Sequence, residues 1–264
     1  MWSSFSIIRN GIVIQGAQSG SGLPVLFAHG LTSSMEWSKK QCAPLTSHYR
    51  VIVFNQRGHG NAGPLTDPAA YDCRSMSEDI GFILDNFEIK SAVIGGESMG
   101  AATALRYALD NKNRCKALLL VSPAFDERPF TAFSEIYAIG DAMLQKGAVQ
   151  FAHENDIAMQ AAGVSKSASR AWCEILASHH GASMHTACRT VPHWKVCELN
   201  ELYSFGIPVQ IIARENDAVH PLSLAEGLIR KIPNSVLITT GKDMDYFEDP
   251  SLVGKWCADF LAEL

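Results

Sequence analysis

The sequence predicts an α/β fold, a mostly parallel eight-stranded sheet flanked by helices and interrupted late in the chain by a helical insertion. Three observations point there. Short β-branched runs recur between turn residues, most of these runs are apolar throughout, and stretches of helical periodicity separate them. A strand covered on both faces shows no side to water, so it reads as continuous apolar residues rather than as an alternation. At 264 residues the chain can bury a full core in one such unit.

The elements follow in order. Runs at Phe5–Ile8 and Ile12–Gln15, split by Arg9-Asn10-Gly11, suggest an antiparallel hairpin leading in. Further strands are predicted at Val25–Ala28, Val51–Phe54, Ala92–Gly95, Ala117–Val121, Val209–Ala213 and Val236–Thr239, with helices at Cys73–Phe87, Ala101–Asn111 and Leu222–Ile232. Between Val121 and Pro208 the alternation breaks and helical periodicity takes over. Residues 125–206 are therefore expected to form a helical lid on a core of residues 1–124 and 207–264. Its natural place is over the carboxyl edge of the sheet, where open α/β sheets bind ligands. No fixed-period repeat or low-complexity segment argues for another architecture.

Composition narrows the function classes. Hydrophobic residues at 47% and charged residues at 19% lack the polar excess of a disordered chain. A net charge of -5 leaves no basic field to attract nucleic acid. Seven cysteines, odd in number and widely spaced without a CxxC pair, imply free thiols in a reducing compartment. The opening MWSSFSIIRNG lacks a basic region followed by a long apolar run, and nothing elsewhere approaches the ~20 apolar residues of a membrane span. A cytoplasmic protein without a membrane partner is the expectation.

Chemistry is concentrated in Gly96-Glu97-Ser98-Met99-Gly100, a G-x-S-x-G where a strand ends and a helix begins. So sharp a turn strains the serine backbone and crowds its neighbours, which calls for glycine on both sides. It leaves the hydroxyl exposed at a helix N-terminus, with the Met99 amide placed to stabilise an oxyanion. A glycine-rich turn without chemistry is the plainer reading, but the preceding strand and the small residues after the serine favour a nucleophile.

Here the chain resembles the α/β-hydrolase superfamily, and three further stretches share the resemblance. PVLFAHGLTSSMEW is similar to the loop whose residue after the His-Gly, here Leu31, gives the second oxyanion amide. VIVFNQRGHGNAGP is similar to the D-x-R-G-x-G-x-S loop, with Asn55 where aspartate is usual; Arg57 there implies an organising rather than a catalytic group. IIARENDAVHP is similar to the strand and loop carrying the acidic triad member, which places that role on Asp217.

The resemblance also implies a glycine-histidine pair after the last strand, yet VLITTGKDMDYFEDP offers Lys242 after Gly241, and no histidine follows His220. The chain is thus an atypical member, and its general base is open among three readings. His220, three residues past Asp217, brings an imidazole, whose ordinary pKa near 6.5 suits base work. Lys242 would need a fall of about 3.4 units from the usual ~10.4, against the acidic neighbours Asp243 and Asp245. In the third reading neither serves, and substrate, water or a lid histidine assists.

Glu97 departs from the histidine common before the nucleophile. Facing the pocket as a carboxylate, it would oppose an oxyanion. It is taken with Trp172 and Trp194 as a substrate contact, although lid aromatics and methionines (Phe130, Phe133, Met143, Met159 and Met184 among them) more often form core. The lid histidines His179, His180, His185 and His193 lack the spacing and second ligand type of a zinc site, so no metal and no cofactor are expected. The sequence thus points to a serine-dependent acyl-transfer enzyme for an ester or thioester of a small hydrophobic or aromatic acyl group, free or presented as a carrier thioester. Water as acceptor makes it a hydrolase; an alcohol, thiol or amine makes it a biosynthetic acyltransferase. The alternative is a pseudoenzyme or ligand-binding protein that keeps the pocket without the chemistry.

Overall fold

The structure, a computed structural model, describes residues 1–60, 62–125, 133–241 and 245–264. Its eight strands are β1 (Ser3–Arg9), β2 (Ile12–Ser19), β3 (Pro24–Ala28), β4 (Arg50–Phe54), β5 (Ala92–Glu97), β6 (Cys115–Val121), β7 (Val209–Arg214) and β8 (Ser235–Thr240). They form one sheet in the order β1-β2-β4-β3-β5-β6-β7-β8. β2 pairs antiparallel with β1 and β4, and all other pairs are parallel. Each predicted strand is present and runs further at one or both ends. Ladder pairing continues past the apolar stretch to residues such as Gln18 and Ser19, opposite Ile52 and Val51.

Side chains alternate across the sheet, and this two-residue period divides the core. Leu26, Ile52, Phe54, Ile94, Leu118, Leu120 and Ile211 face one way. They meet α2 (Cys73–Asn86), α3 (Met99–Asp110) and α9 (Leu222–Lys231). Val25, Phe27, Val51, Val53, Leu119 and Ile212 face the other way, against α1 (Met35–Cys42) and α10 (Ser251–Ala262). Both faces are dry, which is why the strands read as unbroken apolar runs. All seven cysteines are buried, and each keeps its thiol outside any disulfide.

Arg57 is structural in its contacts. Its guanidinium grips Asp79 of α2 through Nε (2.5 Å) and Nη2 (2.8 Å), and Arg9 of β1 adds 2.9 Å to the same carboxylate. Arg57 is 5% and Asp79 2% exposed, so removing the acid strands the Arg57 cation in a low-dielectric interior, while Arg9 keeps its pair with Glu78. Breaking such a buried pair costs about 3–5 kcal/mol. Asp79→Ala is expected to lower the urea unfolding free energy by that amount, whereas a loss below about 1 kcal/mol would place the pair effectively in solvent.

Between β6 and β7 lie α4 (Phe133–Lys146), α5 (Ala148–Ala161), α6 (Lys166–Ala177), α7 (Gly181–Thr190) and α8 (Leu199–Tyr203), with no strand among the described residues there. α4 packs on α7 and α5 on α6, each pair around its own apolar cluster. Met143 and Met184 are core residues of the first cluster, and Met159 flanks the second. Phe130 lies outside the described residues. Among those residues, no helix is long and apolar enough to cross a membrane.

Candidate active site

Ser98 sits between the end of β5 and the first residue of α3, at φ 53° and ψ −111°. A side chain with positive φ is strained and persists where its surroundings over-determine it. Here the Ser98 amide donates to the Val121 carbonyl (2.9 Å) and its carbonyl accepts from Ala102 (3.1 Å). The flanking glycines are required by close approach: a Cβ on Gly96 would lie 2.3 Å from the Gly100 carbonyl, and one on Gly100 would lie 2.1 Å from Ala28 O. α3 starts at Met99, two residues earlier than its periodicity suggests, because the crowded turn is already the helix's first cap.

The loop after β7 brings up the partner groups. Asp217 Oδ1 accepts from the Val219 and His220 amides, both at 3.0 Å, and this turn folds the chain back on itself. The same turn sets Asp217 Oδ2 3.1 Å from His220 Nδ1 and His220 Nε2 2.9 Å from Ser98 Oγ. With the Nδ1 proton donated to the carboxylate, Nε2 is left as acceptor for the serine hydroxyl. Burial pushes the Asp217 carboxyl up, but the bond to and charge of His220, its amide, and the Arg214 charge outweigh burial and hold Asp217 well below the ordinary carboxylate range. Asp217 is therefore an anion at working pH. Lys242 and Asp243 lie outside the described residues, while Asp245 stands 3.7 Å from Arg214.

A cavity of about 250 Å³ opens over the serine, lined by Leu31, Met99, Ser98, Glu97 and His220 on the core side. Among the described residues, no hydrogen bond takes up the Leu31 or Met99 amide. The insertion contributes Ile136 and Ile139 of α4, Trp172 of α6, and Val191, Pro192 and Trp194 after α7. Trp194 spends its indole N–H on the Tyr71 carbonyl (2.8 Å), and Trp172 packs edge-on against Trp37. The aliphatic lining escapes sequence reading because helix-spaced Ile and Val look the same whether they face core or cavity.

Glu97 lines this cavity, half-buried, and accepts from Gln41 Nε2 at 3.1 Å. Burial pushes its carboxyl up, only partly offset by His220, Gln41 and Arg214. The upward direction eases the expected conflict with an oxyanion, and the neighbouring Gln41 Oε1, buried without a partner among the described residues, lies ready to accept the proton when Glu97 carries one. A carboxyl whose folded pKa is raised favours the fold at low pH and loses that contribution as pH rises through the folded pKa. Glu97→Gln, which cannot ionise, should therefore lose less stability than wild type between pH 5 and 8 in urea titrations. Equal losses in both proteins would show that Glu97 ionises as freely as in water.

The insertion's histidines differ in station. His179 is buried in hydrogen bonds to the core, His180 caps α7, His185 pairs with Asp141 at 3.2 Å, and His193 meets the Tyr137 hydroxyl at 2.5 Å. No group of three or more His, Cys, Asp or Glu able to hold a metal occurs among the described residues. Sequence reasoning missed Gln41 and Arg214, which touch the site from 56 residues before Glu97 and three before Asp217; neither carries a local signal.

Comparison with known proteins agrees with this fold. A family profile described as the alpha/beta hydrolase fold matches residues 24–250. An epoxide hydrolase of Caballeronia sordidicola is 33% identical over 125 residues, which is 47% of this chain and 38% of that protein. The match thus spans well under half of that relative. A putative carbamate hydrolase, RutD, of Caulobacter sp. (strain K31) is 25% identical over 232 residues, covering 85% of this chain and 84% of that one. Among solved structures, a thermophilic esterase from Thermogutta terrifontis superposes with a TM-score of 0.81 at 20% identity, covering 100% and 98% of the two chains. The enol-lactonase of Burkholderia xenovorans LB400 gives 0.80 at 17%, covering 97% and 99%. At such identities the likeness is one of fold.

Proposed function

The chain belongs to the α/β-hydrolase family, and from that premise we propose that it is a serine hydrolase of esters or thioesters with a small apolar or aromatic acyl group. The observation that carries this reading is the continuous hydrogen-bonded line Ser98 Oγ, His220 Nε2, His220 Nδ1, Asp217 Oδ2. His220 takes the proton as Ser98 Oγ attacks the carbonyl carbon, and the Leu31 and Met99 amides hold the oxyanion. Collapse expels the alkoxide or thiolate, which leaves with the proton from His220. Water then attacks the acyl-enzyme by the same relay in reverse order, releasing the acid and restoring Ser98. Asp217, ionised, keeps the imidazole in the tautomer whose Nε2 accepts.

Substrate class follows from the cavity. Its volume suits a short acyl chain or one ring, and its wall is mostly apolar, with Glu97, His220 and a few hydroxyls as the polar side chains. The insertion acts as a lid in this reading, since eight of the nineteen residues lining the cavity belong to it, and it takes the acyl group out of water. The names of the relatives, hydrolases of carbamate and epoxide bonds, support hydrolysis as the reaction type.

A fluorophosphonate probe tests the reading. Wild type is expected to label with one equivalent and to hydrolyse p-nitrophenyl butyrate and a butyryl thioester, and Ser98→Ala should take up no label. Absence of labelling from pH 6 to 9, with the protein folded, would sink the covalent mechanism and leave the non-catalytic alternative.

A further inference from the structure

We propose that His179, carried by the insertion between α6 and α7, is a positioning residue for the oxyanion amide of Leu31, so that the lid's seating and the oxyanion site are coupled. The inference rests on the role given above to the Leu31 amide.

His179 is 6% exposed and makes two bonds to the core. Its Nδ1 accepts from the Gly60 amide at 3.0 Å, which requires the proton to sit on Nε2, and Nε2 then donates to the Thr32 carbonyl at 2.9 Å. Burial lowers the pKa of this imidazole to about 4, with the Thr32 bond raising it in part, so the neutral tautomer persists at working pH.

From Thr32 the constraint passes through two rigid planes. A peptide unit is planar and trans, so its C=O and N–H point in opposite directions and cannot turn separately. The Thr32 carbonyl shares its plane with the Ser33 amide, and that amide donates to the Gly30 carbonyl at 3.1 Å. The Gly30 carbonyl in turn shares its plane with the Leu31 amide. His179 therefore fixes the first plane at its carbonyl end, the Ser33–Gly30 bond couples the first plane to the second, and the second carries the Leu31 N–H on its far side. His29 Nδ1, 2.7 Å from the same Gly30 carbonyl, supplies the other anchor.

The joint between the planes is strained, which is why an outside anchor matters. Thr32 has φ 64°, a left-handed conformation that a β-branched residue adopts only under constraint. Without the Nε2 donor, Thr32 can relax to an extended conformation and rotate the Ser33 amide off Gly30. The third imidazole of this cluster, His59, lies edge-on at 5.6 Å from His179 and donates its Nδ1 proton to the Arg57 carbonyl at 2.7 Å, which leaves its Nε2 without a proton to offer Thr32.

Two replacements separate the bonds. His179→Gln keeps a donor at the Nε2 position, and His179→Asn keeps only an acceptor near Nδ1. With p-nitrophenyl butyrate, His179→Asn should lower kcat by about 10- to 100-fold with KM within twofold, short of the about 10²–10³ for outright loss of an oxyanion donor. It should also weaken a trifluoromethyl ketone inhibitor by the same factor. His179→Gln should recover most of both. A second readout needs no activity: hydrogen exchange at the Ser33 amide should speed in His179→Asn and return toward wild type in His179→Gln. Unchanged Ser33 exchange in His179→Asn overturns the coupling even if the enzyme proves inactive. Equal damage in Asn and Gln variants, or a KM effect with kcat intact, reduces His179 to a structural tie. Wild type without turnover but with the exchange pattern as stated would instead sink the catalytic reading and leave the coupling standing.

Discussion

Ser98→Ala should lower kcat on p-nitrophenyl butyrate by about 10⁴- to 10⁶-fold, the loss seen when a nucleophile acting as one unit with its base is removed. The size of the effect follows from the geometry. Among the described residues, Oγ is the hydrogen-bond partner of His220 Nε2, at 2.9 Å, and alanine removes the hydroxyl that the imidazole deprotonates. The Leu31 and Met99 amides and the cavity remain, so a residual rate above that in water should persist, with KM little changed. Stability should be nearly unaltered, because the backbone bonds of residue 98 to Val121 and Ala102 do not involve the hydroxyl. The strain at φ 53° is kept by the surrounding sheet and helix, and strain held at a reactive side chain is typical of function rather than of packing. A variant retaining a tenth of wild-type kcat would show that the chemistry lies elsewhere.

How far the sequence discloses this arrangement depends on the range of each constraint. Strands β3 to β7 are legible because burial on both faces writes itself into consecutive residues, and the hairpin before them because Asn10 and Gly11 both take positive φ. The Ser98 turn is legible for a similar reason: a Cβ on Gly96 or Gly100 would lie within 2.3 Å of backbone atoms, which leaves no choice of residue. Asp217 and His220 lie three residues apart in one loop, so proximity in sequence becomes proximity in space, although only the coordinates show which nitrogen meets which oxygen. Contacts across long separations leave no such mark. Nothing near Gln41 announces Glu97, nothing near His179 announces Thr32 147 residues away, and the pairing of α4 with α7 is invisible to helical periodicity, which says that a face is apolar without saying what covers it. The His179 cluster also shows why a buried histidine misleads: its two nitrogens are satisfied by backbone, and only the identity of that backbone gives it a bearing on chemistry.

His220→Ala should slow single-turnover acylation by a butyryl thioester by about 10²- to 10⁴-fold, the usual worth of a general base, while Lys242→Ala should change it by less than about threefold. The contrast is needed because glycine-lysine stands where the family's glycine-histidine pair is found. His220 already meets the hydroxyl at 2.9 Å and is oriented by an ionised Asp217, so the proton has an acceptor without any lysine. The alanine variant is also a clean one. The turn that builds the loop uses the Val219 and residue-220 amides, each 3.0 Å from Asp217 Oδ1, and both amides survive the substitution. What disappears is the imidazole alone. Acylation in His220→Ala should then rise with pH as hydroxide replaces the missing base. Less than a threefold loss for His220→Ala would remove it from the relay whatever its distance, and a loss confined to Lys242→Ala would transfer the proton to the lysine and leave the Asp217–His220 pair as a turn.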